Sequence, residues 1–347
     1  MKIQPFRLQP EFSPRIWGAR SLAPFYPQKK NLPEPVGEAW LTGRHCRVAS
    51  GPFCGRDLAA AWREMPPEWR GTQLADVKEF PLLVKFIFPA DKLSIQVHPD
   101  DEYAARHEPA AGGRGKTELW HVLAAEPAAQ LLLGVKPGTD KQKFRRALAA
   151  NTLEGLFENY SVKSGDTFFV PAGTPHTIGP GMVLCEVTQY SDLTYRVYDY
   201  GRVDATGKPR ALHIEKALDV MRFGAAKAGK VQPLPRAGGP CSLLAACPNF
   251  AAERWEIPRP GEVPRDVGHF DLYVIAAGSG HLEWAEGEGA YQRGEAWLVP
   301  AANGCIRVLP DKPTTLIRAY VPELAELHAE LEEEGLPEAA VARVVFD

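Results

Sequence analysis

The feature that most limits the fold is the regular interruption of short apolar runs by glycine and proline. The chain has 31 glycines and 32 prolines among 347 residues, and the apolar runs between them are mostly of strand length. Proline removes a helical hydrogen bond and glycine favours turns, so long helices find little room. Many short strands separated by turns are typical of β-sandwiches and β-barrels. We therefore predict an all-β protein with a few short helices.

The predicted strands fall into two groups along the chain. In the first group they are 81–88, 92–98, 116–124, 129–135, 166–171, 182–190 and 193–200. In the second group they are 243–256, 270–276, 281–284, 295–300 and 305–320. Apolar residues at three- and four-residue spacing predict short helices at 57–65, 140–150 and 211–222, and a last helix is predicted at 322–334.

A change of composition at 225–240, AAKAGKVQPLPRAGGP, predicts a linker between two domains. The predicted first domain is 1–224 and carries the chemistry described below. The predicted second domain is 241–321, and 322–347 is predicted to form a C-terminal helix and tail.

An internal repeat connects the two predicted domains. GDTFFVPAGTPHTI at 165–178 aligns without gaps on GEAWLVPAANGCIR at 294–307, and ELWHVLAAEP at 118–127 aligns on DLYVIAAGSG at 271–280. Two copies of one β unit predict two similar barrels, although chance similarity between hairpins is the alternative. His176 aligns with Cys305 and Glu118 with Asp271, so the second copy is predicted to hold no metal.

Charge and hydropathy exclude several classes of function. The formal net charge is −3 and the pI is near 6.3, which gives no electrostatic footprint for nucleic acid or an anionic membrane. No apolar run approaches the roughly 20 residues that span a bilayer. The N-terminal residues lack a signal-peptide core, and the six scattered cysteines indicate reduced thiols. We expect a cytoplasmic protein, monomeric or homodimeric, without nucleic-acid or membrane partners.

The segment LSIQVHPDD at 93–101 is the most informative for chemistry. Because side chains alternate along a strand, Ser94, Gln96 and His98 point to one face and the apolar residues between them to the other. Buried polar groups need partners, since each unpaired one costs about 1–3 kcal/mol. A bound metal would supply those partners, whereas a polar face turned to water would need none.

Two further segments add metal donors. In GKTELW at 115–120, Lys116 and Glu118 share one face of a predicted strand. In VPAGTPHTIG at 170–179, a turn rigidified by proline and glycine places His176 at the start of the next strand. Together with Gln96 and His98, these residues offer nitrogen and oxygen donors that zinc accepts, with room for water or substrate.

Two cations lie close to these segments in the sequence. Arg196, in CEVTQYSDLTYRVYDYGR at 185–202, would suit a phosphate or a developing oxyanion. The alternative is a structural salt bridge with Asp192 or Asp199. Lys85 is an isolated cation in an apolar strand, and it either binds substrate or pairs with an acid such as Glu38.

Taken together, these segments resemble one known family. The matching pieces are WGARSL (17–22), VGEAW (36–40), FPLLVKFIFPADKLSIQVHPDD (80–101), GKTELW (115–120), PAGTPHTIG (171–179) and EVTQYSDLTYRVYDYGR (186–202). The chain resembles type I phosphomannose isomerases, particularly the short bacterial form. It departs from them at Ala19, where the family has glycine, and in the LTG that follows GEAW. The region after the predicted linker resembles the family only weakly.

The resemblance implies a fold, a cofactor and a reaction. The fold is two cupin-like (jelly-roll) β-barrel domains, and the reaction interconverts mannose 6-phosphate and fructose 6-phosphate through a cis-enediol. It implies one zinc ion per chain, held by Gln96, His98, Glu118 and His176. The catalytic candidates are Arg196, Lys116 and Glu186, and the substrate-binding candidates are Ser94, Lys85, Lys116 and Arg196. The base is predicted to be Glu186 or a metal-linked group, because a desolvated carboxylate titrates nearer neutrality.

Two other functions remain open from the sequence. One is a different cupin metalloenzyme, such as an iron-dependent oxygenase, and the other is a sugar-binding cupin without catalysis. An amide and a carboxylate beside two histidines, with cations nearby, favour a phosphosugar over an oxygenase substrate. Lys116, Arg196 and the four donors are all present, which favours catalysis over binding alone.

Overall fold

The computed structural model describes residues 2–204, 206–224, 229–236 and 239–347. Of the predicted linker, residues 225–228 and 237–238 lie outside the described residues. The strands are β1 (Phe6–Leu8), β2 (Glu11–Ala19), β3 (Val36–Trp40), β4 (Leu82–Ile87), β5 (Ile95–Val97), β6 (Glu118–Ala125), β7 (Gln130–Val135), β8 (Phe157–Ser161), β9 (Thr167–Val170), β10 (His176–Ile178), β11 (Met182–Gln189), β12 (Tyr195–Tyr198), β13 (Gly229–Val231), β14 (Leu234–Pro235), β15 (Cys241–Cys247), β16 (Phe250–Ile257), β17 (Gly261–Val263), β18 (Asp271–Trp284), β19 (Gly287–Gln292), β20 (Ala296–Val299) and β21 (Ile306–Tyr320).

The helices are few and short, as the sequence predicts. They are α1 (Leu58–Glu64), α2 (Pro67–Arg70), α3 (Asp101–His107), α4 (Lys141–Ala149), α5 (Ile214–Val220), α6 (Leu324–Glu333) and α7 (Glu338–Val341). The predicted mostly-β class is therefore confirmed. Within the described ranges, no helix has both the length and the apolar character needed to cross a membrane.

Two sheets face each other in the first two thirds of the chain. One has the strand order β13-β9-β6-β11-β4-β3-β2, and the other has the order β12-β5-β10-β7-β8. Apolar side chains from both sheets form the core between them, among them Trp120, Leu131, Ile178 and Leu184. Helices α4 and α5 cover the outer face of the five-stranded sheet.

The last third of the chain builds a nine-stranded sheet. Its order is β1-β20-β18-β21-β16-β15-β14, with β17 paired to β21 and β19 to β18. The register between β18 and β21 shifts at three places, and such irregularities bend long strands. A separate apolar core lies on the face of this sheet that points away from the first sheets. Across the described parts of the chain, no sheet closes on itself, so the two-barrel description stays a prediction.

The first half of the fold is the pair of facing sheets, and the second half is the nine-stranded sheet. The two halves share one large core, and β1 joins the sheet of the second half. The outer face of the seven-stranded sheet, including Val84 and Phe86, packs with nine-stranded-sheet residues such as Leu244 and Leu272. The first strand, β1, pairs antiparallel with β20 in the second half. Within the predicted linker, β13 pairs with β9 and β14 pairs with β15, so each half gains one short edge strand.

Strand alternation places the candidate site at one end of the space between the two facing sheets. Lys85 and Ile87 of β4 point inward, as do Glu186 and Leu184 of β11, while their neighbours point to the shared core. On each strand, the apolar inward residue belongs to the buried core. The inward surface therefore changes from apolar to charged along the strands, and the charged end is where the chemistry lies.

Candidate metal and catalytic site

Neighbouring strands bring the predicted donors together. Strand β10 begins at His176 and pairs with β5, where His176 lies opposite Gln96. His98 follows β5 directly, and its carbonyl accepts a hydrogen bond of 2.7 Å from the amide of Gly173 in the turn before His176. Glu118 is the first residue of β6 on the facing sheet. The turn and the two sheets together fix the positions of the four side chains.

The ligand atoms of His98, Glu118 and His176 all lie within 4.8 Å of one another. His98 Nε2 is 3.3 Å from Glu118 Oε1, and His176 Nε2 is 3.7 Å from Glu118 Oε2. Each of the three residues is only 1 % exposed. The side-chain amide nitrogen of Gln96 lies 3.2 Å from His176 Nε2, so its amide group reaches the same centre.

Backbone carbonyls determine which ring nitrogen of each histidine carries the proton. His98 Nδ1 lies 2.7 Å from the carbonyl of Leu193, and His176 Nδ1 lies 2.9 Å from that of Thr174. A carbonyl only accepts hydrogen bonds, so each Nδ1 carries the proton and each Nε2 presents a lone pair to the centre. Metal-binding histidines are commonly oriented in this way.

Two of the atoms that face the centre keep an open lone pair. His98 Nε2 and Glu118 Oε2 are buried and have no hydrogen-bond partner among the described residues. Burial lowers the pKa of both histidines, that of His176 to about 4, so both are neutral at physiological pH. Two neutral imidazoles, a carboxylate and an amide fit a zinc ion, which would satisfy the open lone pairs.

Glu118 is held as an anion by its neighbours. Burial alone would raise its pKa, but the Lys116 ammonium, the largest of the opposing causes, helps to hold that pKa well below its usual range. The Lys116 ammonium lies 2.6 Å from Glu118 Oε1. The pKa of Lys116 is in turn raised, because its carboxylate neighbours outweigh the effect of its own burial. The site therefore combines a fixed anion and a fixed cation beside the metal donors.

A second group of charges surrounds Lys85. Its ammonium lies 2.9 Å from Asp192 Oδ1, 3.7 Å from Glu38 Oε1 and 3.9 Å from Glu186 Oε1, and it packs on the ring of Trp40. Burial alone would lower the pKa of Lys85, but these carboxylates raise it. The pairing with Glu38 that the sequence left open is therefore present.

Glu186 connects the two groups of charges. Its Oε1 lies 3.6 Å from the ammonium of Lys116 and 3.9 Å from that of Lys85, without a hydrogen-bond partner among the described residues. Burial raises the pKa of Glu186 to about 7, although the two lysines oppose that shift. A carboxyl that is half ionised near neutral pH can both take up and return a proton.

Ser94 and Arg196 lie on the five-stranded sheet beside the metal donors. The Ser94 hydroxyl donates to Gln96 Oε1 at 3.3 Å. Arg196 lies opposite Gln96 in the pairing of β12 with β5, and its Nη1 donates to the carbonyl of Ala211 at 3.0 Å. Its Nε is buried and, within the described ranges, has no partner.

The structural salt bridges considered for Arg196 are not among the ion pairs of the described residues. Asp199 pairs with Arg202 and Arg210, and Asp192 pairs with Lys85. The guanidinium of Arg196 therefore has donor capacity left for a ligand.

Sequence reasoning did not single out Trp40 or the role of Asp192 at Lys85. The Trp40 indole donates to Glu38 Oε2 at 2.9 Å, which orients the carboxylate toward Lys85. The alternation of Glu38 and Trp40 in VGEAW was the available signal. Asp192 lies 107 residues from Lys85 and outside any strand, so no periodicity indicates their contact.

A cavity of about 390 Å³ adjoins the Lys85 end of the site. Its lining includes Arg15, Trp40, Arg114, Ser191 and Asp192. Because Trp40 and Asp192 also contact Lys85, this cavity lies next to the buried charges.

Comparisons with known proteins show what the chain is similar to. Residues 5–118 match the family model of the phosphomannose isomerase type I catalytic domain. The mannose-6-phosphate isomerase of Streptococcus mutans is 34 % identical over 302 residues, which cover 86 % of this chain and 92 % of that protein. The crystal structure of the mannose 6-phosphate isomerase from Bacillus subtilis has a TM-score of 0.82 at 30 % identity and covers 91 % of this chain and 99 % of that one.

A more distant solved structure shares the fold. It is a mannose 6-phosphate isomerase bound with zinc and yttrium, with a TM-score of 0.70 at 17 % identity, covering 91 % of this chain and 99 % of that one.

Proposed function

The chain belongs to the type I phosphomannose isomerases, and we propose on that premise that its buried site interconverts mannose 6-phosphate and fructose 6-phosphate with the help of zinc. The observation that carries the proposal is a buried donor set, His98, Glu118 and His176, whose ligand atoms converge within 4.8 Å of one another. Of these atoms, His98 Nε2 and Glu118 Oε2 have no hydrogen-bond partner among the described residues. Beside it stand a carboxyl with a pKa near 7 and two buried lysines.

Gln96, His98, Glu118 and His176 are the proposed zinc ligands, one ion per chain. Their nitrogen and oxygen donors suit zinc, and a related fold has been solved with zinc bound. When bound, zinc supplies Lewis-acid stabilisation of negative charge on the substrate oxygens. The Ser94 hydroxyl supports this set by holding the Gln96 amide.

Glu186 is the proposed base. In the open-chain aldose, its carboxylate takes the proton from C2, which leaves an enediolate across C1 and C2. The same group then returns the proton to C1, while the hydroxyl proton moves from O2 to O1, and the ketose results. Its pKa near neutrality suits both directions, because neither protonation state is strongly favoured.

The cations of the site have different proposed roles. Lys116, 3.6 Å from Glu186, would stabilise the enediolate, and Arg196, with its unpartnered Nε, would bind substrate oxygens. Lys85 is a proposed substrate contact, and the cavity near Asp192 supports access to it. Its three carboxylate neighbours equally support a role in setting the acidity of Glu186.

The architecture has a finer proposed description. We propose that each half is a cupin-like jelly roll, the first with metal and the second without. Two facing sheets in the first half and a bent nine-stranded sheet in the second support this description. We also propose a cytoplasmic enzyme whose partner is a sugar phosphate.

A coupled assay that follows fructose 6-phosphate formation tests the function. The purified protein should convert mannose 6-phosphate, lose activity after treatment with a chelator, and regain it with added zinc. Activity that is indifferent to chelator would contradict the metal assignment. A preparation that contains iron and consumes O₂ would instead support an oxygenase.

A further inference from the structure

The short segment that carries Lys116 toward Glu118 is held by its backbone. The amide of Gly115 donates to Asp101 Oδ1 at 2.8 Å, that of Lys116 to the carbonyl of Pro99 at 3.0 Å, and that of Thr117 to Gln189 Oε1 at 2.9 Å. These three residues belong to no strand, so ladder hydrogen bonds do not fix them. Two of the three acceptors are side chains, those of Asp101 and Gln189, and neither residue is a proposed zinc ligand.

The two side-chain acceptors are joined to each other. Gln189 Nε2 donates to Asp101 Oδ1 at 2.9 Å, so one carboxylate oxygen receives both this bond and that of Gly115. Gln189 ends strand β11 and is largely buried. Asn249, from the second half of the chain, donates to Gln189 Oε1 at 3.2 Å.

We propose that Asp101 and Gln189 are positioning residues for the metal and catalytic site, and that Asn249 extends their network into the second half. They act by fixing the backbone between Gly115 and Glu118, and with it the Lys116 ammonium and the Glu118 carboxylate. This inference rests on the proposed function, because that function gives Lys116 and Glu118 their roles.

The same contacts fix the distance between two metal ligands. Asp101 follows three residues after His98, whereas Gly115 precedes Glu118 by three. A Cβ built on Gly115 would lie 2.5 Å from the carbonyl carbon of Asp100 and 2.6 Å from the amide of Asp101, so only glycine permits this approach. The segment after β5, which carries His98, and the start of β6, which carries Glu118, are thus linked close to these two proposed zinc ligands.

Water reaches the outer side of this network. A cavity of about 660 Å³ is lined by Asp101, Thr117, Gln189 and Asn249, among others. Amides released from these acceptors would therefore find water, and the segment would gain alternative conformations. A displacement of about 1 Å can cost about 100-fold in rate, so the side-chain acceptors matter for chemistry as well as for stability.

The test compares Asp101→Ala and Gln189→Leu with the unaltered enzyme. Zinc affinity of the metal-free protein, measured by competition with a chelating dye, should fall about 10- to 100-fold, as for loss of groups that orient metal ligands. At saturating zinc, kcat should fall by a similar factor while KM stays within about threefold. Amide hydrogen exchange of residues 115–117, measured without metal, should be faster in both variants.

Two matched variants separate positioning from general stability. Asp101→Asn keeps an acceptor oxygen and should restore zinc affinity, kcat and slow exchange. Asp100→Ala removes the neighbouring carboxylate, which caps α3 through the amide of Tyr103 at 2.9 Å. It should lower the melting temperature without changing zinc affinity or kcat, because Asp100 accepts no bond from residues 115–117.

Asn249→Ala tests the contribution of the second half. It removes one of the two bonds to Gln189 Oε1. A loss of zinc affinity of about two- to fivefold is expected, below the roughly 10- to 100-fold of groups that bond a metal ligand directly. Combined with Gln189→Leu, it should add nothing further. Zinc affinity and kcat in Asp101→Ala and Gln189→Leu equal to those of Asp100→Ala would overturn the inference. Isomerase activity of the unaltered enzyme decides the proposed function separately.

Discussion

The two halves place buried charges at matching positions in their sheets and use them differently. Glu118 lies opposite Val170 in the pairing of β6 with β9, and Asp271 lies opposite Val299 in the pairing of β18 with β20. These are the residues that the internal repeat aligns. The register of both sheets therefore supports the repeat.

On the strands next to Glu118 and Asp271, equivalent positions carry charges of opposite sign in the two halves. In the first half, Glu186 pairs across the strands with Lys85, and in the second half Arg318 pairs with Glu253. Glu186 lies opposite Trp120, two residues after Glu118, and Arg318 lies opposite Tyr273, two residues after Asp271. One sheet position thus holds an anion in one half and a cation in the other.

This difference in charge determines which buried carboxylate keeps lone pairs available for a metal. Arg265 Nε and Arg318 Nε each donate to one oxygen of Asp271, at 2.8 and 2.9 Å. No guanidinium fills the lone pairs of Glu118: the Lys116 ammonium faces Oε1 at 2.6 Å, and Oε2 has no hydrogen-bond donor among the described residues. The comparison teaches that a buried acid is structural when guanidinium groups fill its lone pairs, and is available for a metal when they do not.

The largest expected effect comes from replacing Glu118, the buried acid whose lone pairs are not filled by guanidinium groups. Glu118→Gln removes the anionic donor, and we expect zinc to be lost and kcat/KM to fall by roughly 1000-fold or more. Metal analysis of the purified variant and the coupled assay are the measurements. Full zinc content with normal turnover would show that Glu118 is not a ligand.

Replacing Asp271, the buried acid whose lone pairs are filled by guanidinium groups, should instead lower the stability of the protein. Asp271→Asn leaves Arg318 and Arg265 poorly neutralised in the interior, and we expect a loss of about 3–5 kcal/mol in the free energy of unfolding. Urea denaturation measures it. Zinc content and kcat of the folded variant should not change, and a loss of zinc here would break the distinction between the halves.

The same carboxylate predicts acid sensitivity. Burial alone would raise the pKa of Asp271, but Arg318 and Arg265 outweigh it and hold that pKa below its usual range. The stabilisation is therefore complete above the unfolded pKa of about 3.9 and is lost as pH falls below it. In Asp271→Asn, this part of the pH dependence of unfolding should be absent.

Glu186→Gln sharpens the comparison by removing the proposed base while leaving the metal donors. We expect kcat to fall about 100-fold with zinc retained, the usual scale for a general base. In the unaltered enzyme, kcat/KM should decline as pH falls through about 7, because protonation removes the base form. A variant with unchanged kcat would remove Glu186 from the proton transfer.

The smallest expected effect comes from Lys85→Met. Lys85 lowers the pKa of Glu186, so its loss should raise that pKa and move the acidic limb of the pH profile upward by about 1 unit. Initial rates measured from pH 6 to 9 would detect the shift. A profile at the original position would show that Lys85 does not tune this carboxyl.

Sequence alone predicted those parts of the fold and site that depend on local periodicity. Alternation predicted that Gln96 lies with His98 and Lys116 with Glu118, and these side chains do meet, although His98 and Lys116 lie just outside β5 and β6. The apolar spacing of 57–65 and 140–150 was enough to predict α1 and α4. Both kinds of information repeat within a few residues and need no knowledge of neighbouring strands.

Contacts that depend on how distant segments meet could not be predicted. The pairing of Lys85 with Asp192 spans 107 residues, and the bond from Thr117 to Gln189 spans 72. Sequence reasoning assigned no role to Asp101, and only the approach of Gly115 reveals one. Such contacts follow from sheet order and loop path, which single-strand periodicity does not encode.

The strand exchange between the ends of the chain has a consequence for biosynthesis. Phe6–Leu8 leaves the ribosome well before its pairing partner, β20 (Ala296–Val299), which is made about 290 residues later. At typical bacterial and eukaryotic elongation rates, that delay is roughly 15–60 s. During this interval β1 has no strand of the nine-stranded sheet to pair with, so the nascent polypeptide completes this layer only after β20 and β21 have been made.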